Sequence, residues 1–243
     1  MLRIIMEATD YKSVDGISRD DEQGGRFLLW FLLAFFVVWA LRATLFFAID
    51  GKIDSGSLRL VYSNALKFAL WVIPPVIYLR RVVKTDPLEY LKLASKPNRR
   101  GLILAAIVTA TFFAGMLLFE WVTAGKRLTL LFETALPDWL GVLAAVAPSS
   151  FFEELLFRGF ILNQLHERVG FWKANALSSL LFVLVHWPNW LWVNGFKGWI
   201  VFTSVSIFIL SLFLGYLMRL TNSLWPSVFG HTLNNFIATY LRA

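Results

Sequence analysis

Residues 148–160 read Pro148-Ser149-Ser150-Phe151-Phe152-Glu153-Glu154-Leu155-Leu156-Phe157-Arg158-Gly159-Phe160. This stretch places two carboxylates and a guanidinium inside an apolar run that is long enough for a membrane helix. A charge at the centre of a membrane helix costs roughly 2.5 to 3.5 kcal/mol on insertion scales, so these charges need a reason. Glu154 and Arg158 share one helix face and can neutralise each other. Glu153 lies about 100° away around the helix axis, so this stretch offers it no oppositely charged partner.

An intramembrane carboxylate without a partner indicates a functional site. The structural alternative is that Glu153, Glu154 and Arg158 together form a polar cluster that only holds helices in place. The rest of the sequence is needed to decide between these two interpretations.

The composition indicates a protein that crosses the membrane several times. The chain has 243 residues, of which 58% are hydrophobic and 16% charged, against about 25% charged in soluble domains. It has no cysteine, which excludes disulfides and thiolate ligands or nucleophiles. The net charge of +7 is attributed to basic cytoplasmic loops rather than to nucleic-acid binding. We therefore expect an all-α, multi-pass protein of the cell (plasma) membrane. Its partners should include the lipid bilayer but no nucleic acid.

Hydropathy divides the chain into about seven apolar helices, or eight if one of them is broken into two. The segments are 27–49, 58–79, 101–120, 139–163, about 174–188, 198–218 and 223–241. Prolines predict a bend at Pro74-Pro75 and kinks at Pro148 and Pro188. The fifth segment has about 15 residues before Pro188, fewer than the roughly 20 that span a bilayer. We expect it to kink or to stop at depth, which is tolerated where a helix lines a cavity.

The polar segments between these helices predict the orientation of the chain. Residues 1–26 form a polar tail, and the external connection 122–138 contains a segment, 128–135, that fits the membrane interface. The loop between the second and third helices is the most basic part of the chain, with Arg80, Arg81, Lys84, Lys92, Lys96, Arg99 and Arg100. The positive-inside rule places this loop, and with it the N-terminal tail, in the cytoplasm.

Three of the later helices carry ionisable groups at a similar depth. Glu153, His186 and His231 lie roughly 14–20 Å from the cytoplasmic ends of their helices at 1.5 Å per residue. Asn235 shares a helix face with His231, and Phe182 shares one with His186. A single His or Asn in a membrane helix often serves only as an interhelical hydrogen-bonding group. The whole set at one depth favours a site over scattered structural contacts.

This set of side chains suits the activation of water. A carboxylate or a neutral His can take a proton from water that attacks a carbonyl, while a second His and an Asn amide can donate to the developing oxyanion. Alternatively, Glu153, His186 and His231 could hold a metal such as zinc, which lowers the pKa of a bound water. A serine nucleophile at Ser149 or Ser150 is a weaker alternative, because the sequence pairs no base with either. No cofactor is certain from these residues.

Three short motifs resemble those of a known family. Glu153-Glu154-Leu155-Leu156-Phe157-Arg158 matches EExxxR, Phe182-Val183-Leu184-Val185-His186 matches FxxxH, and His231-Thr232-Leu233-Asn234-Asn235 matches HxxxN. With these motifs on separate helices in this order, about residues 100–241 resemble the CAAX protease and bacteriocin-processing family, also called the Abi family. This family of intramembrane proteases is related to the type II CAAX prenyl endopeptidases.

The resemblance implies a membrane endopeptidase with a polar cavity open to the cytoplasm. It implies that Glu153 and His186 activate water, that His231 and Asn235 stabilise the oxyanion, and that Glu154 and Arg158 support them together with Phe182. It leaves open whether the enzyme uses glutamate alone or a metal, and whether the substrate is a prenylated CAAX protein, a leader peptide or a bacteriocin.

On this basis the chain divides into a cytoplasmic tail (1–26), a transmembrane hairpin with the basic loop (27–100) and a protease domain (101–243). Two functions from other classes remain as alternatives. One is a non-catalytic membrane scaffold or immunity protein, and the other is a proton-coupled transporter that uses Glu and His as a relay. A transporter of that kind often has two related halves, and none is visible in the sequence.

Overall fold

The computed structural model describes residues 21–44, 49, 52–96, 99–124 and 139–240, and these residues form α-helices, π-helical turns and connections without a strand. The tail 1–20, the predicted interfacial segment 128–135 and the last residues 241–243 lie outside the described residues. The predicted all-α, polytopic helical bundle is confirmed.

The described elements follow one another along the chain as short and long helices. They are α1 (Asp21–Thr44), α2 (Gly56–Trp71), α3 (Ile73–Tyr78), the π-helical turn π1 (Leu79–Val83), α4 (Pro87–Tyr90), α5 (Arg99–Ala124), α6 (Trp139–Glu154), the π-helix π2 (Leu155–Leu162), α7 (Asn163–Val169), α8 (Phe171–Leu184), α9 (Trp187–Asn194), α10 (Gly198–Thr221) and α11 (Trp225–Tyr240).

Within the described ranges, six continuous helical stretches are long and apolar enough to cross a membrane. They are Gly25–Thr44, Gly56–Val83, Arg99–Leu118, Trp139–Val169, Phe171–Asn194 and Gly198–Thr221. Helix α11 has 16 residues, fewer than the roughly 20 that span the hydrocarbon core, and it packs against α5, α6 and α10. The chain is therefore a multi-pass membrane protein.

The breaks in these stretches lie mostly where proline predicted them. The second stretch breaks at Val72, directly before Ile73-Pro74-Pro75 opens α3. The fifth breaks at Val185 and His186, and Pro188 lies in the first turn of α9. Residues of a first turn donate no intrahelical hydrogen bond, so the missing N–H of proline costs none there. The fifth segment therefore kinks and continues to Asn194. Pro148 differs, because α6 continues past it and the departure from α-helical bonding comes later, in π2.

One end of the bundle is covered by the basic loop, defined here as residues 84–96. Asn163 Nδ2 donates to the backbone carbonyl of Tyr90 at 2.9 Å. Trp225 Nε1 donates to the backbone carbonyl of Leu93 at 3.1 Å. The starts of α7 and α11 therefore lie beside this loop. We call this end of the bundle the loop face and the opposite end the far face.

Further contacts fix the direction of the other helices. Phe27 stacks on Tyr78, which directly precedes π1, with 3.8 Å between ring centroids, so α1 begins near the loop face. Trp39, three turns later on α1, donates its Nε1 to the carbonyl of Val185 at 3.0 Å. Helices α1, α8, α9 and α11 therefore run from the loop face to the far face. Helices α2 and α6 run the opposite way.

The half of the bundle nearest the loop is densely packed. All eight residues of π2 are buried, and Tyr90 and Leu91 of the loop are 1% exposed. Leu91 lies so close to Gly159 that an added Cβ there would be 3.2 Å from Leu91 Cδ2. Gln164 Nε2 donates to the Tyr90 hydroxyl at 2.5 Å, and that hydroxyl donates to Glu167 Oε1 at 3.1 Å. The loop is thus part of the folded core at this end.

Candidate active site

Glu153, near the end of α6, is held by groups from two helices. Its Oε1 forms an ion pair and a hydrogen bond with Lys67 Nζ of α2 and accepts a hydrogen bond from Ser149 Oγ at 3.1 Å. Lys67 Nζ also donates to Ser149 Oγ at 2.6 Å and lies 4.6 Å from the centre of the Trp71 ring. The carboxylate that the sequence left without a partner therefore has one.

Lys67 was not among the site residues predicted from the sequence. The signal was present, because a lysine inside an apolar membrane segment is itself costly and marks a functional position. Lys67 was passed over because it lies on a helix outside the three motifs, 86 residues before Glu153. Its side chain is 12% exposed, so this ion pair is largely enclosed by protein.

Glu154 points into the closed half of the bundle and is fully buried. Its Oε1 lies 2.9 Å from Arg158 Nη1, which is the pair predicted from the four-residue spacing. Arg158 Nη2 also donates to Ser211 Oγ of α10 at 2.8 Å. The same Oε1 lies 2.7 Å from His231 Nδ1, a second partner that the sequence did not indicate.

His231 lies between the two carboxylates. Because a carboxylate accepts hydrogen bonds, the contact with Glu154 assigns a proton to Nδ1 and fixes the orientation of the ring. Nε2 then faces Glu153 Oε2 at a distance of 3.6 Å. This distance is too long for a direct hydrogen bond, so the two groups flank a common space. Glu154 therefore acts on the site through His231.

His186 stands at the kink between α8 and α9. Its Nδ1 lies 2.8 Å from the backbone carbonyl of Phe182. A carbonyl can only accept, so Nδ1 carries the proton, and in the neutral ring Nε2 is left as an acceptor. This is the form in which a histidine can take a proton from water.

Phe182 is the apolar centre of the site. Its ring meets the rings of His186 and His231 edge-on, with centroids 5.2 Å and 5.6 Å apart. The Arg158 guanidinium lies 4.3 Å from the centre of the same ring. Phe182 thus contacts residues of all three motifs.

Two cavities adjoin Glu153 on its far-face side. The first has a volume of about 250 Å³ and is lined by Trp39, Arg42, Ala43, Lys67, Trp71, Glu153, Val185, His186, Asn189 and Trp190. The second has a volume of about 450 Å³ and is lined by Ala145, Val146, Ser149, Asn235, Ala238 and Thr239. Glu153 lines the first cavity, and Ser149, which donates to Glu153, lines the second.

Asn235 belongs to the second cavity, not to the first. Its Nδ2 donates to Ser150 Oγ at 3.1 Å, and its Oδ1 accepts from Asn234 Nδ2 at 3.2 Å. An amide nitrogen carries two hydrogens, so one remains available to a ligand. The predicted residues thus lie around Glu153 but do not share one cavity. Glu153 and His186 line the first cavity, Asn235 lines the second, and His231 is buried.

The sequence left open a metal site formed by Glu153, His186 and His231. Among the described residues, no group of three His, Asp or Glu side chains is arranged to hold a metal ion. Oε1 of Glu153 is taken by Lys67, and Nδ1 of His231 is taken by Glu154. In this arrangement Glu153, His186 and His231 do not form a three-ligand zinc centre.

Residues 134–237 match a family model described as type II CAAX prenyl endopeptidase Rce1-like. This match over 104 of the 243 residues supports membership of the family and agrees with the resemblance found in the sequence motifs. At the level of the family, the match supports a CAAX-type intramembrane protease. No curated protein and no solved structure matches the chain.

Proposed function

We propose that this protein is an intramembrane endopeptidase in which Glu153 and His186 activate a water molecule that attacks a peptide carbonyl of a membrane-associated protein or peptide. One observation carries the proposal. The Glu153 carboxylate and the His186 ring line the same cavity, and the His186 ring is fixed by the Phe182 carbonyl with Nε2 as its acceptor. A water in this cavity has two groups that can take its proton.

Glu153 Oε2 is the oxygen that takes part in the reaction. Oε1 is occupied by Lys67 and Ser149, whereas Oε2 faces the space shared with His231. Attack of the water forms a new C–O bond while its proton passes to Oε2 or to His186 Nε2. The proton is then given to the leaving amine when the C–N bond breaks.

The negative oxygen of the tetrahedral intermediate needs donors. Asn235 supplies its second Nδ2 hydrogen from the neighbouring cavity. His231, oriented by Glu154, supplies Nε2–H once that nitrogen is protonated. Fixed donors in a site that excludes water stabilise such an oxyanion more strongly than water does.

Lys67 is proposed as a positioning residue. It holds Oε1 of Glu153 together with Ser149, and it is itself placed against the Trp71 ring. The carboxylate is therefore fixed so that Oε2 points towards His231. A displacement of about 1 Å in a reacting group can cost on the order of 10²-fold in rate, which is the size of effect that this contact can have.

The contact between Lys67 and Ser149 also favours a second chemistry, in which Ser149 is a nucleophile. A Ser–Lys pair is a known variant of the serine protease triad. In this structure, however, Lys67 donates to both Ser149 and Glu153, and a lysine that donates to a hydroxyl cannot accept its proton. Ser149→Ala separates the two, since it should abolish a serine mechanism and only weaken the water mechanism.

The test in cells compares the new protein termini in membranes from wild-type and Glu153→Gln strains. Peptide ends present only in the wild type are expected, and they identify substrate and scissile bond together. If the two sets of termini are identical, the protein is a scaffold, an immunity protein or a transporter, and not a protease. Treatment of the purified protein with a chelator should leave cleavage unchanged. Fractionation should place the protein in the plasma membrane.

A further inference from the structure

Helix α6 carries two adjacent rows of polar side chains near its end. Ser149 and Glu153 are four residues apart and form the first row. Ser150 and Glu154 form the second row, about 100° away around the helix axis. Ser149 Oγ donates to Glu153 Oε1 at 3.1 Å, so the members of the first row contact each other. The members of the second row instead contact side chains of α11.

Two contacts, one helical turn apart, join the second row to α11. Glu154 Oε1 lies 2.7 Å from His231 Nδ1. Ser150 Oγ accepts a hydrogen bond from Asn235 Nδ2 at 3.1 Å. Because the two helices run in opposite directions, a step of four residues forward on α6 corresponds to a step of four residues back on α11. Both side chains that are proposed to donate to the oxyanion are thus held by the same row of α6.

The position of Ser150 suits an action on Asn235 rather than on substrate. Ser150 is fully buried and is not among the residues that line either of the two cavities. Asn235, by contrast, lines the second cavity. A serine nucleophile must reach the carbonyl carbon that it attacks. The burial of Ser150 therefore disfavours the nucleophilic role that the sequence left open for it.

The side-chain amide of Asn235 is held at both of its polar atoms. Its Oδ1 accepts from Asn234 Nδ2 at 3.2 Å, and Ser150 Oγ takes one of the two hydrogens on its Nδ2. Both hydrogens lie in the plane of the amide, so the direction of the first fixes the direction of the second. The second hydrogen is therefore aimed before substrate binds, as a preorganised oxyanion donor must be.

We propose that Ser150 is a positioning residue that orients the Asn235 amide towards the oxyanion, and this inference rests on the proposed function. Glu154 has the corresponding role for the His231 ring. Without the Ser150 hydroxyl, Asn235 stays in place, but the terminal torsion of an asparagine side chain is broad and the amide plane is free to turn. The oxyanion then loses stabilisation while the binding of substrate changes little, so kcat should fall more than KM rises.

Two variants of Ser150 test this role, and Ser227→Ala is the matched control. Ser227 of α11 is also fully buried, and its Oγ donates to the backbone carbonyl of Leu214 at 2.8 Å. The substrate is a synthetic peptide that spans the scissile bond identified from the new termini.

Ser150→Ala should lower kcat by roughly 10- to 10²-fold with KM nearly unchanged, which is less than the 10²–10³-fold expected for Asn235→Ala. Ser150→Cys should behave likewise, because its thiol is close to serine in size but is only a weak hydrogen-bonding group. Ser227→Ala should keep the wild-type kcat.

The decisive measurement repeats Ser150→Ala in the Asn235→Ala background. A residue that acts only through Asn235 should have no further effect on kcat there, which a double-mutant cycle measures directly. A wild-type kcat for Ser150→Ala, an equal loss of kcat in Ser227→Ala, or a further loss in the Asn235→Ala background would each overturn the inference. A further loss is also the result expected if Ser150 were the nucleophile.

Glu153→Gln is measured with the same peptide, so that the two proposals can fail separately. A wild-type rate for Glu153→Gln would overturn the proposed function. A large loss in Glu153→Gln together with a wild-type rate for Ser150→Ala would overturn only the role of Ser150.

Discussion

Between Glu154 and the loop face, the described residues of π2 and the loop residues Tyr90 and Leu91 are buried in a packed core. Between Glu153 and the far face, the same bundle holds two cavities of about 250 and 450 Å³. The boundary passes between two adjacent glutamates. Glu154 faces the packed half with Arg158 and His231, and Glu153 faces the hollow half with Lys67.

Because of this difference, adjacent glutamates on one helical stretch are expected to affect different properties, Glu154 the stability of the fold and Glu153 the reaction. A charge in the packed half is stable only with its partner, because breaking a buried pair leaves an uncompensated charge. A charge beside a cavity can be reached by water and by substrate. The proposed function accordingly assigns Glu154 to the support of the site and Glu153 to its reactive part.

The largest effect is expected in the packed half. Arg158→Ala should lower the free energy of unfolding by about 3–5 kcal/mol, because it leaves Glu154 buried without its main partner. The measurement is thermal or denaturant unfolding of the purified protein in detergent. Arg81→Ala, at an exposed position, is the matched control and should change little.

A double variant sharpens this result. Glu154→Leu combined with Arg158→Leu removes both charges and should recover much of the stability. Activity should not return, because His231 also loses the carboxylate that orients it. If Arg158→Ala unfolds at the wild-type temperature, the pair does not support the packed half.

Asn235→Ala tests the hollow half next. Loss of one oxyanion donor typically costs about 10²–10³ in kcat, so a measurable residual rate is expected with little change in unfolding. Asn194→Ala, at the exposed end of α9, serves as the control. A wild-type kcat for Asn235→Ala would show that the second cavity takes no part in the reaction.

Lys67→Met keeps the packing of the alkyl chain and removes the ammonium. We expect kcat to fall by up to about 10²-fold while KM changes less, because the carboxylate loses its fixed position rather than its contact with substrate. Lys67→Arg should restore part of the rate, and Lys96→Met should have no effect. Equal kcat values for Lys67→Met and the wild type would remove Lys67 from the site.

Tyr90→Phe is expected to have the smallest effect. The hydroxyl accepts from Gln164 and donates to Glu167, and a hydrogen bond of this kind contributes about 0.5–1.5 kcal/mol to stability. Denaturant unfolding measures the loss, with Tyr62→Phe as a control for the ring substitution. No loss at all would mean that the loop does not help to close the packed half.

Much of the fold could be predicted from sequence, because hydropathy and proline act locally. The seven apolar segments, the break before Pro74 and the kink near Pro188 all follow from such signals. The pair of Glu154 and Arg158 was also predictable, since four residues on one helix fix its geometry. The common level of Glu153 and His231 followed from counting residues along straight helices.

Other features depend on how the helices are rotated and ordered around the bundle, which a sequence pattern does not give. Lys67 and Glu153 meet across two helices that are far apart in the chain. His231 turns towards Glu154 as well as Glu153. The depth of a residue, counted from one helix end, also does not tell on which side of that residue the packing leaves a cavity.

One paired measurement tests the central claim most directly. Glu153→Gln and Glu154→Gln make the same chemical change at adjacent positions, and both variants are compared for unfolding temperature and for turnover of a substrate identified from its new termini. Glu153→Gln should keep the unfolding temperature near that of the wild type and lose about 10²–10⁴ in turnover, whereas Glu154→Gln should lose stability. A Glu153→Gln protein that is folded and turns over substrate at the wild-type rate would contradict the account.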